Sequence, residues 1–422
     1  PEREPEPGPW DPGGTEDLAA FPWSVQAGDA TADGAVVSIR TTEPAVELVV
    51  VAADGQGWVE VARVGLTPVE GTAQHVLTGL APDAAHRYTF FAGDGARRSR
   101  VGRLRTALAS GSRKLVFGAT SCLGDADPGW PNLGFVAQHQ LDFFVWLGDT
   151  VYVDDEDTLT LADYRAVWDA ALATPTLADT CASTSFVAVW DDHEVANNWV
   201  LDQGNALDEG ITAERLAAAD AAFREAMPQR AGPSGGKWRS LRWGAVLELV
   251  ALDCRSERST DRMVSDEQLA WAVERITTSD ARFVVVLVSV HATDHTALMS
   301  FVEEEDRWQG YPAQRDVLVA ACEQAGAVLF VTGDMHYGAV QRVSPAGAPG
   351  QDLYEVAAGP SGSELFAVAA LGEMVGGLPA QYEDVIDTWS WSRFEVDPGL
   401  GTIRVQMIGD TGEVLIDRTL LG

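Results

Sequence analysis

The chain reads as a small all-β sandwich followed by a larger α/β domain of layered sheets and helices. Three observations predict this. Short β-prone runs broken by Gly, Asp and Pro clusters fill the region from about Trp23 to Thr106, and near-continuous apolar strands alternating with amphipathic helices fill the rest. The length of 422 residues also exceeds one ordinary core, against a prior of ~150 residues per domain. The expected divisions are a disordered lead-in over 1–21, the sandwich over 22–107 and the larger domain over 108–422.

Residues 1–14 (PEREPEPGPWDPGG) hold five prolines and almost no apolar periodicity, so they predict a solvated segment. The runs Ala35–Ile39, Val46–Val51, Trp58–Val64, His75–Leu80, His86–Phe91 and Ser99–Leu104 follow at regular spacing, which is the pattern of a β-sandwich. After Arg105 the strands Leu115–Ala119, Phe143–Leu147, Phe186–Trp190, Val246–Leu252, Phe283–Val290 and Val328–Thr332 are apolar at nearly every position. Such strands are covered on both faces. Helices over Thr212–Glu225, Asp266–Ile276 and Ala313–Gln324 supply that cover. The tail Ser392–Asp417 returns to strand character and completes the sheet. The apolar segment 361–376 serves either packing or an apolar groove.

Composition narrows the function. A hydrophobic share of 46% and a charged share of 22% suit a packed globular chain. The net charge of −34 argues against nucleic acid or an anionic membrane surface as partner. No apolar run approaches the ~18 residues of a membrane span. Cys122, Cys181, Cys254 and Cys322 contain no C-x-x-C pair and are too few for a disulfide scaffold. Cys322, inside a helical run, reads as a buried thiol, while Cys181 and Cys254 are either packed or bridged.

The polar residues with chemistry stand just past four strand ends: Ser121-Cys122, Gly148-Asp149-Thr150-Val151-Tyr152, Asp191-Asp192-His193-Glu194 and Gly333-Asp334-Met335-His336. A strand-end Asp alone is commonly a cap or turn residue. Four such ends at the carboxyl side of an α/β sheet can converge on one site. With G-D-x-x-Y, W-D-D-H-E followed by Asn197-Asn198, and G-D-x-H in this order, the sequence resembles the alkaline phosphatase D (PhoD-like) branch of the metallophosphoesterases. The stretches LADYRAVW (161–168), LDCR (252–255), DEQLAWAVERI (266–276) and RWQGYPAQR (307–315) extend the resemblance from about residue 22 to the end.

The resemblance implies a metallophosphoesterase-like β-sandwich core flanked by helices, behind a fibronectin-like β-sandwich. It also implies hydrolysis of small phosphate esters by metal-activated water, and a secreted or periplasmic protein whose export signal lies outside this sequence. The metal ligands it implies are Cys122, Asp149, Tyr152, Asp192, Asn198, Asp334 and His336, with Asp149 bridging. Thiolate and phenolate together suit ferric iron, and carboxylates suit a hard cation. Fe3+ with one or two Ca2+ is therefore expected, with Zn2+ or Mn2+ as the alternative. His193 is the expected general acid. Arg255 pairs either with phosphate or with a structural carboxylate. His291 stands where the wider superfamily often has a further metal histidine, and is either a ligand or a buried structural residue. Two other functions compete: a phospholipase D-like diesterase, and a secreted binding protein on a degenerate scaffold, which the intact ligand set disfavours.

Overall fold

The computed structural model describes all residues except 1, 2, 4, 125–128, 155–157, 202–206, 208–210, 296–302 and 422. Two large sheets form the centre. One, of nine strands, runs in the order Val414–Thr419, Thr402–Gly409, Ser390–Asp397, Leu115–Thr120, Phe143–Leu147, Phe186–Val189, Gln26–Gly28, Ala35–Arg40, Thr72–Leu77. The other, of seven, runs Arg239–Trp243, Leu247–Ala251, Phe283–Val288, Val328–Thr332, Tyr354–Ala357, Gly338–Arg342, Tyr382–Ile386. Strands that end at the site have a parallel neighbour: Leu115–Thr120 pairs so with Phe143–Leu147, the latter with Phe186–Val189, and Phe283–Val288 with Val328–Thr332.

The pleat sends alternate side chains to opposite faces. Phe283, Val285 and Leu287 join Phe117, Phe143, Val145 and Phe394 in a core between the two sheets. Val284, Val286 and Val288 face outward against the helices Asp266–Thr278 and Pro312–Ala325. On the outer face of the other sheet, Phe144, Trp146 and Phe186 pack against Leu161–Leu172, Pro175–Ser183 and Ala213–Ala226. The result is helix, sheet, sheet, helix, which explains why the strands are apolar throughout. The helices begin where side chains can cap them: Thr160, Thr212 and Ser265 accept from the third backbone N–H of their helices.

The N-terminal strands do not stand apart. Val46–Asp54, Gly57–Leu66, Ala85–Ala92 and Gly102–Arg105 form a separate sheet, but Gln26–Gly28 pairs in parallel with Phe186–Val189, so the facing sheet is continuous with the nine-stranded one. Asp29 seals this junction. Its buried carboxylate takes two bonds from Arg239, at 2.7 and 2.8 Å. The lead-in also packs: Thr15–Glu16 pairs with Arg97–Arg98, Glu6 accepts from Arg87 at 2.7 Å, and Trp58 donates to the Gly8 carbonyl at 2.7 Å. Glycine and proline there left no periodicity to read, yet ion pairs and an indole hold the segment down. All four cysteines are buried and free, so Cys181 and Cys254 are packed rather than bridged. The tail strand Ser390–Asp397 pairs antiparallel with Leu115–Thr120.

Candidate metal centre

Four strand ends meet, and Asp149 stands in the middle. Ligand atoms of Cys122, Asp149 and His336 lie within 4.8 Å of one another, as do those of Asp149, Asp192 and His193, and those of Asp149, Asp191, Asp192 and Asp334. Cys122 Sγ is 3.6 Å from Asp149 Oδ2, and the Tyr152 hydroxyl is 3.3 Å from His336 Nε2. The chain bends sharply to bring these groups together. Cys122, Asp149, Asn198 and Asp334 all have left-handed backbones, with φ of 53°, 54°, 54° and 65°. Such conformations cost of order 1–3 kcal/mol each in non-glycine residues and cluster at functional sites. Glycines permit the approach: a Cβ on Gly148 would sit 2.5 Å from the Asp191 Cβ, and one on Gly333 would sit 2.7 Å from the Ser121 Cβ.

Buried carboxylates hold the loops in register. Glu194, fully buried, accepts from the backbone N–H groups of Asp149 (3.0 Å), Thr150 (2.7 Å) and Asp191 (2.8 Å), tying two strand ends together. Arg255 is completely buried and donates to Asp191, to Asp192 at 3.2 Å and to Asp306. Of its two readings, carboxylate pairing is the one the geometry displays. Asp192 Oδ2 accepts from Asn198 N at 2.5 Å. The Asn198 side chain reaches the same oxygen at 3.2 Å and Asp306 at 2.8 and 3.2 Å when its amide nitrogen faces them. His291 lies elsewhere, with its Nδ1 3.1 Å from Glu355 Oε1 and 3.0 Å from His295 Nε2, in a buried network outside these ligand groupings.

His193 has a partner that the sequence did not point to. Its Nδ1 is 2.7 Å from Asp154 Oδ1, and that oxygen also accepts from Asn197 N at 3.0 Å. The His193 ring stacks on Tyr152 at 4.0 Å. Asp154 opens the acidic run DDED, which reads as a solvated stretch, so only its position beside Tyr152 could have singled it out.

The electrostatics are those of a site built around positive charge. Burial, reinforced by neighbouring carboxylates, pushes Asp149 and Asp334 well above the ordinary carboxylate range. Burial pushes Asp191 and Glu194 up to about 7, against the pull of Arg255 on the first and of backbone N–H groups on the second. Cys122 and Tyr152 are raised by burial and by Asp149. Burial and His193 lower His336 to about 4, which leaves its imidazole neutral and able to act as a ligand. Burial opposes charge on His193, but Asp149, Asp154 and Asp192 outweigh it and carry it to about 10. Arg255 is fully enclosed among these acids, and the carboxylate, thiol and imidazole groups gathered there are of types that can hold a metal ion.

The fold and donor set define a layered α/β protein with a cluster of side chains able to hold metal ions at its strand ends. Residues 117–382 match the model of the PhoD-like phosphatase family, and the chain belongs to that family. It is similar to alkaline phosphatase D of Bacillus subtilis (strain 168), at 25% identity over 306 residues, covering 61% of this chain and 52% of that protein. The chain thus spans about half the length of this curated relative. A solved structure described as "Structure of PhoD" superposes with a TM-score of 0.78 at 20% identity, covering 96% of this chain and 94% of the other, and shows that the fold is shared.

Proposed function

We propose that the chain hydrolyses phosphate esters with metal-activated water, at a centre held by Cys122, Asp149, Tyr152, Asp192, Asp334 and His336, with Asn198 at its edge. The observation that carries this reading is Asp149, which belongs to all three ligand groupings found among the described residues. Bound cations would supply positive charge against the phosphoryl oxygens and acidify a water near neutral pH. The rest of the work falls to the chain. Glu194 fixes the loops bearing Asp149 and Asp191. Arg255 neutralises part of the charge of Asp191, Asp192 and Asp306, which holds the acids together. Asp154 engages Nδ1 of His193 and leaves Nε2 to carry a proton to the departing alkoxide.

Donor chemistry supports Fe3+ near Cys122 and Tyr152 with Ca2+ near Asp192, and Zn2+ or Mn2+ is the alternative. The same reading takes residues 22–107 as a fibronectin-like module, 108–422 as the catalytic part and 1–21 as a lead-in, in a secreted or periplasmic protein. No helix among the described residues is long and apolar enough to cross a membrane. The test is hydrolysis of chromogenic phosphomonoesters and phosphodiesters before and after chelation. Turnover abolished by chelator and restored by added metal supports the proposal; absence of turnover under every metal regime overturns it.

A further inference from the structure

The proline-rich lead-in crosses one face of the sheet formed by Val46–Asp54, Gly57–Leu66 and Ala85–Ala92, and a cavity lies between them. Leu48, Val50, Tyr88 and Phe90 of these strands point into the core, so the alternate residues form the outer face. Cross-strand pairing there sets Phe91 beside Glu47, Arg63 beside Val49 and Glu60 beside Val51. The lead-in is tied down on either side of Trp10. Trp58 donates its indole N–H to the Gly8 carbonyl at 2.7 Å, and Arg98 Nε donates to the Gly13 carbonyl at 3.0 Å. The cavity measures about 450 Å³, with buried Val49, Val51 and Phe91 at its floor and half-buried Trp10 and Trp58 lining its sides.

The polar groups that line it are already ordered. Arg63 binds both oxygens of Glu60, at 3.0 and 2.7 Å, and donates to Glu47 as well. These three side chains stay 47%, 45% and 45% exposed, so their remaining N–H groups and lone pairs are open to a ligand. The Arg87 guanidinium, 4.6 Å from the Trp58 ring centroid, fixes that indole too. Charge then selects the occupant. With Asp11, the lining holds three acids against Arg63, which disfavours phosphate or carboxylate ligands. The guanidinium shared by the two glutamates opposes an organic cation in turn. A neutral ligand rich in hydroxyls meets neither penalty. Its O–H groups donate to the carboxylates and accept from Arg63, while a flat C–H face rests on indole.

We infer that this cavity is a carbohydrate-binding site, and that its ligand class is a neutral oligosaccharide of equatorially linked pyranoses, whose rings are flat and carry C–H bonds on both faces. At ~30 Å³ per heavy atom, the share of a water molecule in the liquid, the volume holds about fifteen heavy atoms, against about twelve in one hexose unit. One ring is therefore enclosed and its neighbours run out over the exposed rim. None of the lining residues belongs to the metal-ligand groupings, so the site stands whether or not phosphate esters are the substrate. Side chains held in place before the ligand arrives lower the cost of binding, and the contacts of a single enclosed ring correspond to a Kd of about 0.1–1 mM.

The test is calorimetric titration of the full chain with cellohexaose, laminarihexaose and chitohexaose, beside hexagalacturonate and tetramethylammonium chloride as charged probes. At least one neutral hexasaccharide should bind in the stated range, and neither charged probe should. Trp10→Ala and Glu60→Ala, with unfolding midpoints retained, should each weaken that binding by about tenfold. Glu60 bonds to Arg63 rather than to the lead-in, so its variant reports on the cavity even where Trp10→Ala loosens the strap. Failure of all three neutral sugars to bind overturns the inference, as does binding that survives both substitutions. Equal or tighter binding of hexagalacturonate or tetramethylammonium, lost in Glu60→Ala, would assign the cavity to a charged ligand and overturn it as well.

Discussion

Removing metal from this site should make stability fall as pH rises, the reverse of the usual behaviour of paired carboxylates. Asp191 is completely buried and its folded pKa is raised from 3.8 to about 7. A raised carboxylate binds its proton more tightly in the folded chain than in the unfolded one. Its contribution is therefore intact below about pH 4 and is lost as pH climbs through 7. At ~1.4 kcal/mol per pH unit the rise amounts to about 4 kcal/mol. Glu194, raised from 4.5 to about 7, and His193, raised to about 10, act in the same direction, although groups this close do not add simply. Total stabilities are typically ~5–15 kcal/mol, so the effect is large.

Cation binding should reverse it, by holding the carboxylates ionised and by stabilising the folded state by ~2.7 kcal/mol at a hundredfold excess over Kd. The assay is the urea midpoint of chelated and metal-loaded protein from pH 4.5 to 8, with Asp191→Asn as the reference that cannot titrate. The difference between chelated wild type and Asp191→Asn should grow less favourable to wild type with pH. A flat difference, or the same slope with and without metal, would mean that burial does not hold Asp191 protonated in the metal-free fold.

Other outcomes follow from the same geometry. Loaded with iron, the protein should be coloured by phenolate-to-iron charge transfer, and Tyr152→Phe should bleach it; colourless, fully active protein containing only zinc contradicts the iron assignment. His193→Ala should keep its metal and lose ~10²–10⁴-fold in kcat for esters with poor leaving groups. Asp154→Ala should show a smaller loss with the same leaving-group dependence, and an equal loss for all leaving groups would deny both residues their roles. For a doubly charged phosphomonoester, kcat/KM should rise with moderate NaCl. Salt screens the distributed field of 63 acidic side chains beyond ~8 Å but barely touches contacts at bonding distance. A steep fall would point to a basic entrance instead.

Much of this molecule was legible in its sequence because the information is local. Apolar strands ending in G-D, D-D-H and G-D-x-H place Asp149, Asp192 and His336 at the same edge whatever the details of packing. The helices over 213–226, 266–278 and 312–325 also lie close to their expected spans. What stayed hidden depends on distant partners. Arg255 admitted two readings until Asp191, 64 residues away, and Asp306, 51 residues away, closed around its guanidinium. Asp154 and Asp306 sit in acidic runs that look solvated, and their value comes from what folds against them. The junction of Gln26–Gly28 with Phe186–Val189 is a pairing between segments with no sequence signal in common. The segment 361–376 admitted core or groove, and its helix supplies both, with Val368 turned in and Met374 turned out.

In the function proposed above, Asp149 anchors a multimetal centre on which hydrolysis depends. The most direct measurement is elemental analysis per chain, on wild type and Asp149→Asn purified side by side and assayed on one chromogenic ester. Two or more metal equivalents are expected in the active wild type, and loss of both metal and activity in Asp149→Asn with the fold retained. Wild-type activity without bound metal, or full metal content and activity in Asp149→Asn, would contradict it.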